Sequence, residues 1–189
     1  MNKTEIVKKF ITALQSGDMA LAADCITDDF VFRGWVPQPL NKGEFLAIQN
    51  ELRTALRGYS FNLSDLNERD DRVESYIQIT GTHARDLALP TFGVPLVPAT
   101  GIAVTMSQER VDFTFDGDKI KQMNVESMPG GGLTGLIQQA GTELPVPPRL
   151  REIKQMGDMD ISQEIEEHQS PEWGHETPII DIDTDVDAG

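Results

Sequence analysis

The chain has 189 residues, 39% of them hydrophobic, and a net charge of −15, enough for one packed domain or one domain with a tail. The acidic balance argues against nucleic acid or an anionic membrane surface as a partner, since both need Lys and Arg to offset phosphate. A single cysteine, Cys25, excludes an intramolecular disulfide and fits a reducing compartment, no 18-residue apolar run is present, and the opening MNKTEIVKKF lacks the apolar core of a signal peptide, so a cytoplasmic location is expected.

In chain order, Asn2 and Glu5 have the spacing of a capping box. Ile6, Phe10, Ala13 and Leu14 then recur at helical spacing until Gly17. Asp18 is placed to cap a second short helix carrying Leu21, Ala22, Cys25 and Ile26. FVFRGWVPQPL reads as a short extended segment, kept to an edge by Pro37 and Pro39. Asn41 and Glu44 repeat the capping spacing ahead of a third helix with Phe45, Ile48, Leu52 and Ala55/Leu56, ended by Gly58.

The period then changes to two. Phe61 and Leu63 begin a strand, and RVESYIQITGTH places Val73, Ile77, Ile79 and His83 on one face. Ile102, Val104 and Met106 share even parity, whereas Val111, Phe113 and Phe115 share odd parity. A strand buried on one face cannot change parity without an extra residue, so a β-bulge is predicted within Ser107–Arg110. Asp116-Gly117 makes a hairpin turn. KIKQMNVESM alternates weakly, so its inward face stays open. MPGGGL reads as a strand-to-helix turn, and Leu133, Leu136, Ile137 and Ala140 as a short helix closed by Gly141. Three helices, four antiparallel strands and a last helix describe an α+β fold, with a curved antiparallel sheet wrapped around the N-terminal helices.

The composition shifts near Leu144. Residues 1–144 hold 13 basic and 19 acidic residues, a net −6. Residues 145–189 hold 3 basic and 12 acidic residues, a net −9, with five of the eleven prolines. The predicted organisation is therefore a domain over 1–144 and an acidic, Pro-containing, largely disordered tail over 145–189. Within that tail, Ile180, Ile182 and Val186 alternate with aspartates, a pattern over 179–187 that fits addition to a sheet edge of a protein partner.

Several short stretches together resemble the nuclear transport factor 2-like superfamily, and within it the SnoaL-like polyketide cyclase (ester cyclase) group. They are the opening helix pair, Gly81-Thr82-His83, Pro98-Ala99-Thr100-Gly101, Asp116-Gly117-Asp118-Lys119-Ile120 and the Gly-Leu-Ile-Gln-Gln-Ala-Gly run at 135–141. The resemblance spans roughly residues 3–141 and implies a cone-shaped homodimer that needs no metal or organic cofactor. It also implies an intramolecular aldol chemistry run by a buried His and a final-strand Asp. With Lys119-Ile120 aligned, the final-strand His-Trp-Asp positions fall on Met123, Asn124 and Val125, so the family's acid/base Asp is absent here.

The candidates for acid/base work are His83, Glu109 and Glu126. His83 points to the apolar side, where it is either a pocket residue or a hydrogen-bonded core histidine. Glu109 and Glu126 are the nearby carboxyls, with a solvated pair between Glu109 and Arg110 as the plainer account. Phe32, Trp35, His83, Met106, Met123 and Val125 are the predicted ligand-pocket residues. No metal is expected, because His168 and His175 lie in the tail and one Cys completes no ligand set. The apolar loop 86–100 must bury itself over the pocket or in a dimer interface. The reading is a domain that binds a small apolar molecule. The alternatives are a cofactor-independent cyclase or isomerase acting on a small apolar carbonyl compound, and a protein-interaction module using the dimer surface and acidic tail.

Overall fold

The computed structural model describes residues 2–141; the predicted tail, its 179–187 strand pattern and the domain limit at 144 lie outside them. Helix α1 (Lys3–Ser16) starts where the Asn2 side chain accepts a hydrogen bond from the Glu5 N–H, and it stops at Gly17 in the left-handed region, φ 85°. The reciprocal half of the capping box is not made; the Glu5 carboxylate instead pairs with Lys8 Nζ at 2.8 Å. Asp18 caps the short α2 (Met19–Asp24). Ile26 does not continue that helix as predicted. It opens strand β1 (Ile26–Arg33), where it opposes Ile120 and is fully buried.

Strand β2 (Leu40–Asn41) leads into α3 (Lys42–Ala55) through a complete capping box: Asn41 accepts from the Glu44 N–H, and Glu44 accepts from the Asn41 N–H. Helix α3 ends three residues before Gly58, because Leu56 already enters the strand β3 (Leu56–Ser60) and pairs with His83.

In place of four strands, the described residues form eleven short ones. The remaining eight are β4 (Ser64–Arg69), β5 (Arg72–Ile77), β6 (Thr80–His83), β7 (Leu87–Leu89), β8 (Val94–Val97), β9 (Ala103–Thr105), β10 (Glu109–Asp116) and β11 (Lys119–Glu126); helix α4 (Gly132–Gln139) follows. Phe61 and Leu63 fall between β3 and β4. The six-stranded sheet runs β2-β1-β11-β10-β5-β4, a second runs β3-β6-β9, and β7-β8 form a hairpin from the apolar loop. All pairs are antiparallel except β1 with β11.

Two changes of register bend this sheet. Ile77 opposes Glu109, yet Thr80 opposes Thr105. Residues 106–108 therefore face only residues 78–79, which is one extra residue at the predicted parity change. The predicted long strand 72–83 breaks at the same point and passes from the large sheet to the small one. In β11, Thr114 opposes Gln122 but Phe115 opposes Ile120, so Lys121 is extra. That explains the weak alternation of KIKQMNVESM: Ile120 faces inward before the bulge, and Met123 and Val125 after it.

The concave side holds the core. α1 packs against β4, β5 and β11, and α3 against β1, β3 and β7. Phe45 centres an aromatic group with ring centroids 6.1 Å from Phe10, 5.3 Å from Phe30 and 4.9 Å from Phe32. Burying each such ring contributes on the order of 1.5–3 kcal/mol, so this seam, rather than any single polar contact, holds the helices in the sheet.

Candidate functional site

Glu109 is the first residue of β10 and shares the parity of Val111, Phe113 and Phe115, all buried. The extra residue at 106–108 sets that phase, and it turns Glu109 inward to 2% exposure. Its neighbour Arg110 faces out, where it pairs with Glu74 at 3.3 Å and Asp112 at 3.4 Å. The predicted Glu109–Arg110 surface pair therefore does not form.

Two donors hold the Glu109 carboxyl. The Trp35 indole N–H donates to Oε2 at 3.1 Å and the Gly132 N–H to Oε1 at 3.3 Å. The second contact depends on the glycine run: a Cβ on Gly131 would collide with Glu109 Oε1. MPGGGL is thus a strand-to-helix turn whose bare backbone approaches a buried carboxyl. Burial pushes the Glu109 carboxyl up from its ordinary value, and the Gly132 and Trp35 donors pull it partly back.

Glu109 borders a narrow crevice with Trp35, Ile79, Met106, Gly132 and Leu136. Trp35 also borders a second crevice, with Phe32, Phe45, Gln49 and Leu133 among its walls. Neither admits a separate water-sized sphere. The indole stacks at 14° on Phe61, with centroids 6.4 Å apart, and meets Phe32 edge-on at 5.5 Å. Buried Gln49 accepts a hydrogen bond from the Tyr59 hydroxyl at 2.9 Å, while its Nε2 has no partner among the described residues.

The other predicted residues divide. Phe32, Trp35, Met106, Met123 and Val125 are all buried in one apolar cluster, but only Trp35 and Met106 border the Glu109 space. Glu126 is outside it: its side chain is 65% exposed and lies 3.9 Å from Arg110 on the outer face. His83 is fully buried, and its Nδ1 lies 3.1 Å from Thr100 Oγ1. The Thr100 hydroxyl spends its one proton on the Ala140 carbonyl at 2.6 Å, so His83 Nδ1 is the donor. His83 Nε2 has no partner among the described residues, and His83 does not border the Glu109 space. The histidine ties β6 to the 98–101 turn and the end of α4. The apolar loop carries its buried face, Leu87, Leu89 and Val97, on the β7–β8 hairpin, with β7 against α3 and Leu96 exposed.

Ile79, Leu136, Gly132 and Gln49 were not singled out as site residues. Ile79 was legible as an inward residue of its strand. Gln49 was legible as well: it lies four residues after Phe45 and three before Leu52, on the apolar face of α3, and a polar side chain on that face is the signal. Among the described residues, no group of three or more His, Cys, Asp or Glu is placed to hold a metal, and no helix is long and apolar enough to cross a membrane.

The model of the SnoaL-like domain matches residues 7–123. The chain belongs to the SnoaL-like domain family. Solved structures agree in fold. A candidate hydroxylase, AclR from Streptomyces galilaeus, is 16% identical with a TM-score of 0.57, over 80% of this chain and 92% of that one. A candidate polyketide cyclase from Xanthomonas campestris is 17% identical with a TM-score of 0.54, over 73% and 96%. A protein of ketosteroid isomerase-like fold from Catenulispora acidiphila, solved with trimethylamine, is 11% identical with a TM-score of 0.55, over 78% and 100%. Curated proteins include no match to this chain. At these identities the SnoaL-like domain shares a cone-shaped α+β fold with its neighbours, and its chemistry must be argued from its own residues.

Proposed function

We propose that this SnoaL-like domain binds a small, mainly apolar molecule on the concave side of its sheet, with the Glu109 carboxyl engaging the molecule's one polar group. The observation that carries the reading is a carboxyl at 2% exposure in the wall of an otherwise apolar space. Burying such a group is costly, and neither of its two hydrogen bonds comes from a cationic side chain that would neutralise it. Because the crevice is too narrow for a separate water-sized sphere, a ligand enters only by displacing part of its wall.

A second reading, proton transfer within a carbonyl compound, is favoured by the same group. A carboxyl raised by burial is suited to give and take a proton nearer neutral pH. The final-strand positions that the family resemblance would use carry Met123 and Val125, both buried, so Glu109 takes the acid/base role in this reading and Glu126 takes none.

Native mass spectrometry of the full chain purified from its source, followed by denaturing extraction, tests both. The expected result is a small apolar molecule bound to the wild type and lost from Glu109→Gln. An empty wild type, or equal retention by the variant, overturns the binding reading. Conversion of the extracted compound by wild type but not by Glu109→Gln would establish the second reading. The same spectra report whether the homodimer implied by the family is present.

A further inference from the structure

The structure assigns a second ligand site to a surface cleft of about 500 Å³ that shares no residue with the Glu109 space. We propose that it takes a small polyvalent oxyanion, phosphate or carboxylate. Arg53, Arg57 and Arg85 line it together with Gln15, Gly58 and Tyr59, and no Asp or Glu contributes to its wall. This is three of the seven arginines of the described residues, gathered in one cleft of a chain whose net charge is −15. In such a chain the general field repels anions, so a local arginine cluster is the feature that can hold one.

The arginines are not engaged elsewhere. Arg53 lies in the last turn of α3 with its guanidinium against Gly17, the C-cap of α1, where helix carbonyls favour a cation. Even so, its Nε has no hydrogen-bond partner among the described residues. Arg57 and Arg85 are exposed and make no ion pair with any described carboxylate. Gln15 Oε1 already accepts from Phe61 N at 2.7 Å and Ser60 Oγ at 3.2 Å, which leaves its amide N–H groups as further donors. The β3–β6 ladder slips between Arg57 and Ser60, and Gly58 lies in the left-handed region at φ 73°. Arg57 opposes Thr82 just before that slip, and Arg85, just past β6, donates its N–H to the Ala55 carbonyl at 3.1 Å. Planar guanidinium forks from separate elements suit the paired oxygens of phosphate or carboxylate.

The test is isothermal titration of the full chain, in phosphate-free buffer of low ionic strength, with pyrophosphate and separately with citrate. Saturable 1:1 binding with a Kd below about 1 mM is expected, weakened at least about tenfold in Arg57→Gln/Arg85→Gln with the thermal transition unchanged. Binding of pyrophosphate alone identifies phosphorylated ligands, and binding of citrate alone identifies polycarboxylates. No saturation by either up to about 10 mM, or equal binding by a folded double variant, overturns the site. Should the double variant not fold, the side-chain N–H resonances of Arg57 and Arg85 in the wild type decide: they shift with either anion, or the proposal fails. The Glu109→Gln variant is expected to bind both anions as the wild type does, so this result is independent of the apolar site.

Discussion

Glu109 sits where burial and hydrogen bonding pull its proton in opposite directions, and burial prevails. Its folded pKa therefore lies above its ordinary 4.5, and between those two values the folded chain holds more proton than the unfolded chain. Its contribution to stability is complete below the unfolded value and is lost as pH rises through the folded one. The unfolding free energy of wild type minus that of Glu109→Gln, from urea melts, should fall as pH rises through the ordinary value of 4.5 and level off above the folded pKa. A difference that does not change with pH would mean that the carboxyl is not desolvated. His83 shows the opposite outcome for a buried polar residue: its Nδ1–Thr100–Ala140 chain of hydrogen bonds is structural, and the side chain stands apart from the Glu109 space. The two candidates separate because one borders that space and the other does not.

At the level of elements, the two helix starts have the same Asn-x-x-Glu spacing but not the same chemistry. The Asn41–Glu44 box is reciprocal, at 3.0 Å in each direction, while Asn2 makes only its own half. Glu44→Ala, which removes the acceptor of the Asn41 N–H, is expected to cost about 0.5–1 kcal/mol in a urea melt, and Glu5→Ala, which removes no such contact, clearly less. Equal losses would show that the reciprocal contact adds nothing. The bulges obey a similar logic. The one between β9 and β10 was legible as a parity change between Met106 and Val111. The one at Lys121 left a fainter trace, because a single apolar residue, Ile120, precedes the shift and only Met123 and Val125 follow it.

Among the described residues, the buried apolar residues of the main core run from Ile6 to Ala140, and the family match lies within the same span. The proposal of a domain over 1–144 follows from this and from the charge shift, since residues 145–189 carry 12 acids against 3 bases. A chain ending after Leu144 should keep a single cooperative thermal transition within roughly 5 °C of the full chain, a difference worth no more than about 1 kcal/mol. Loss of that transition would place part of the domain's core beyond residue 144.

The sequence by itself determined the helix starts, the α+β class, the family and the need for an extra residue ahead of β10. Each rests on local chemistry or on a period that neighbours in the chain reveal. Only the tertiary structure decided that β1 lies parallel to β11, that residues 72–83 serve two sheets, and that Glu109 rather than Glu126 faces inward beside Trp35. Those outcomes depend on which strand is paired with which, and in what register. Residues 35, 109 and 132 meet only because the sheet curves and the glycine turn returns α4 to it. Arg53, Arg57 and Arg85 likewise meet only in the folded chain, from the end of α3, from β3 and from just past β6.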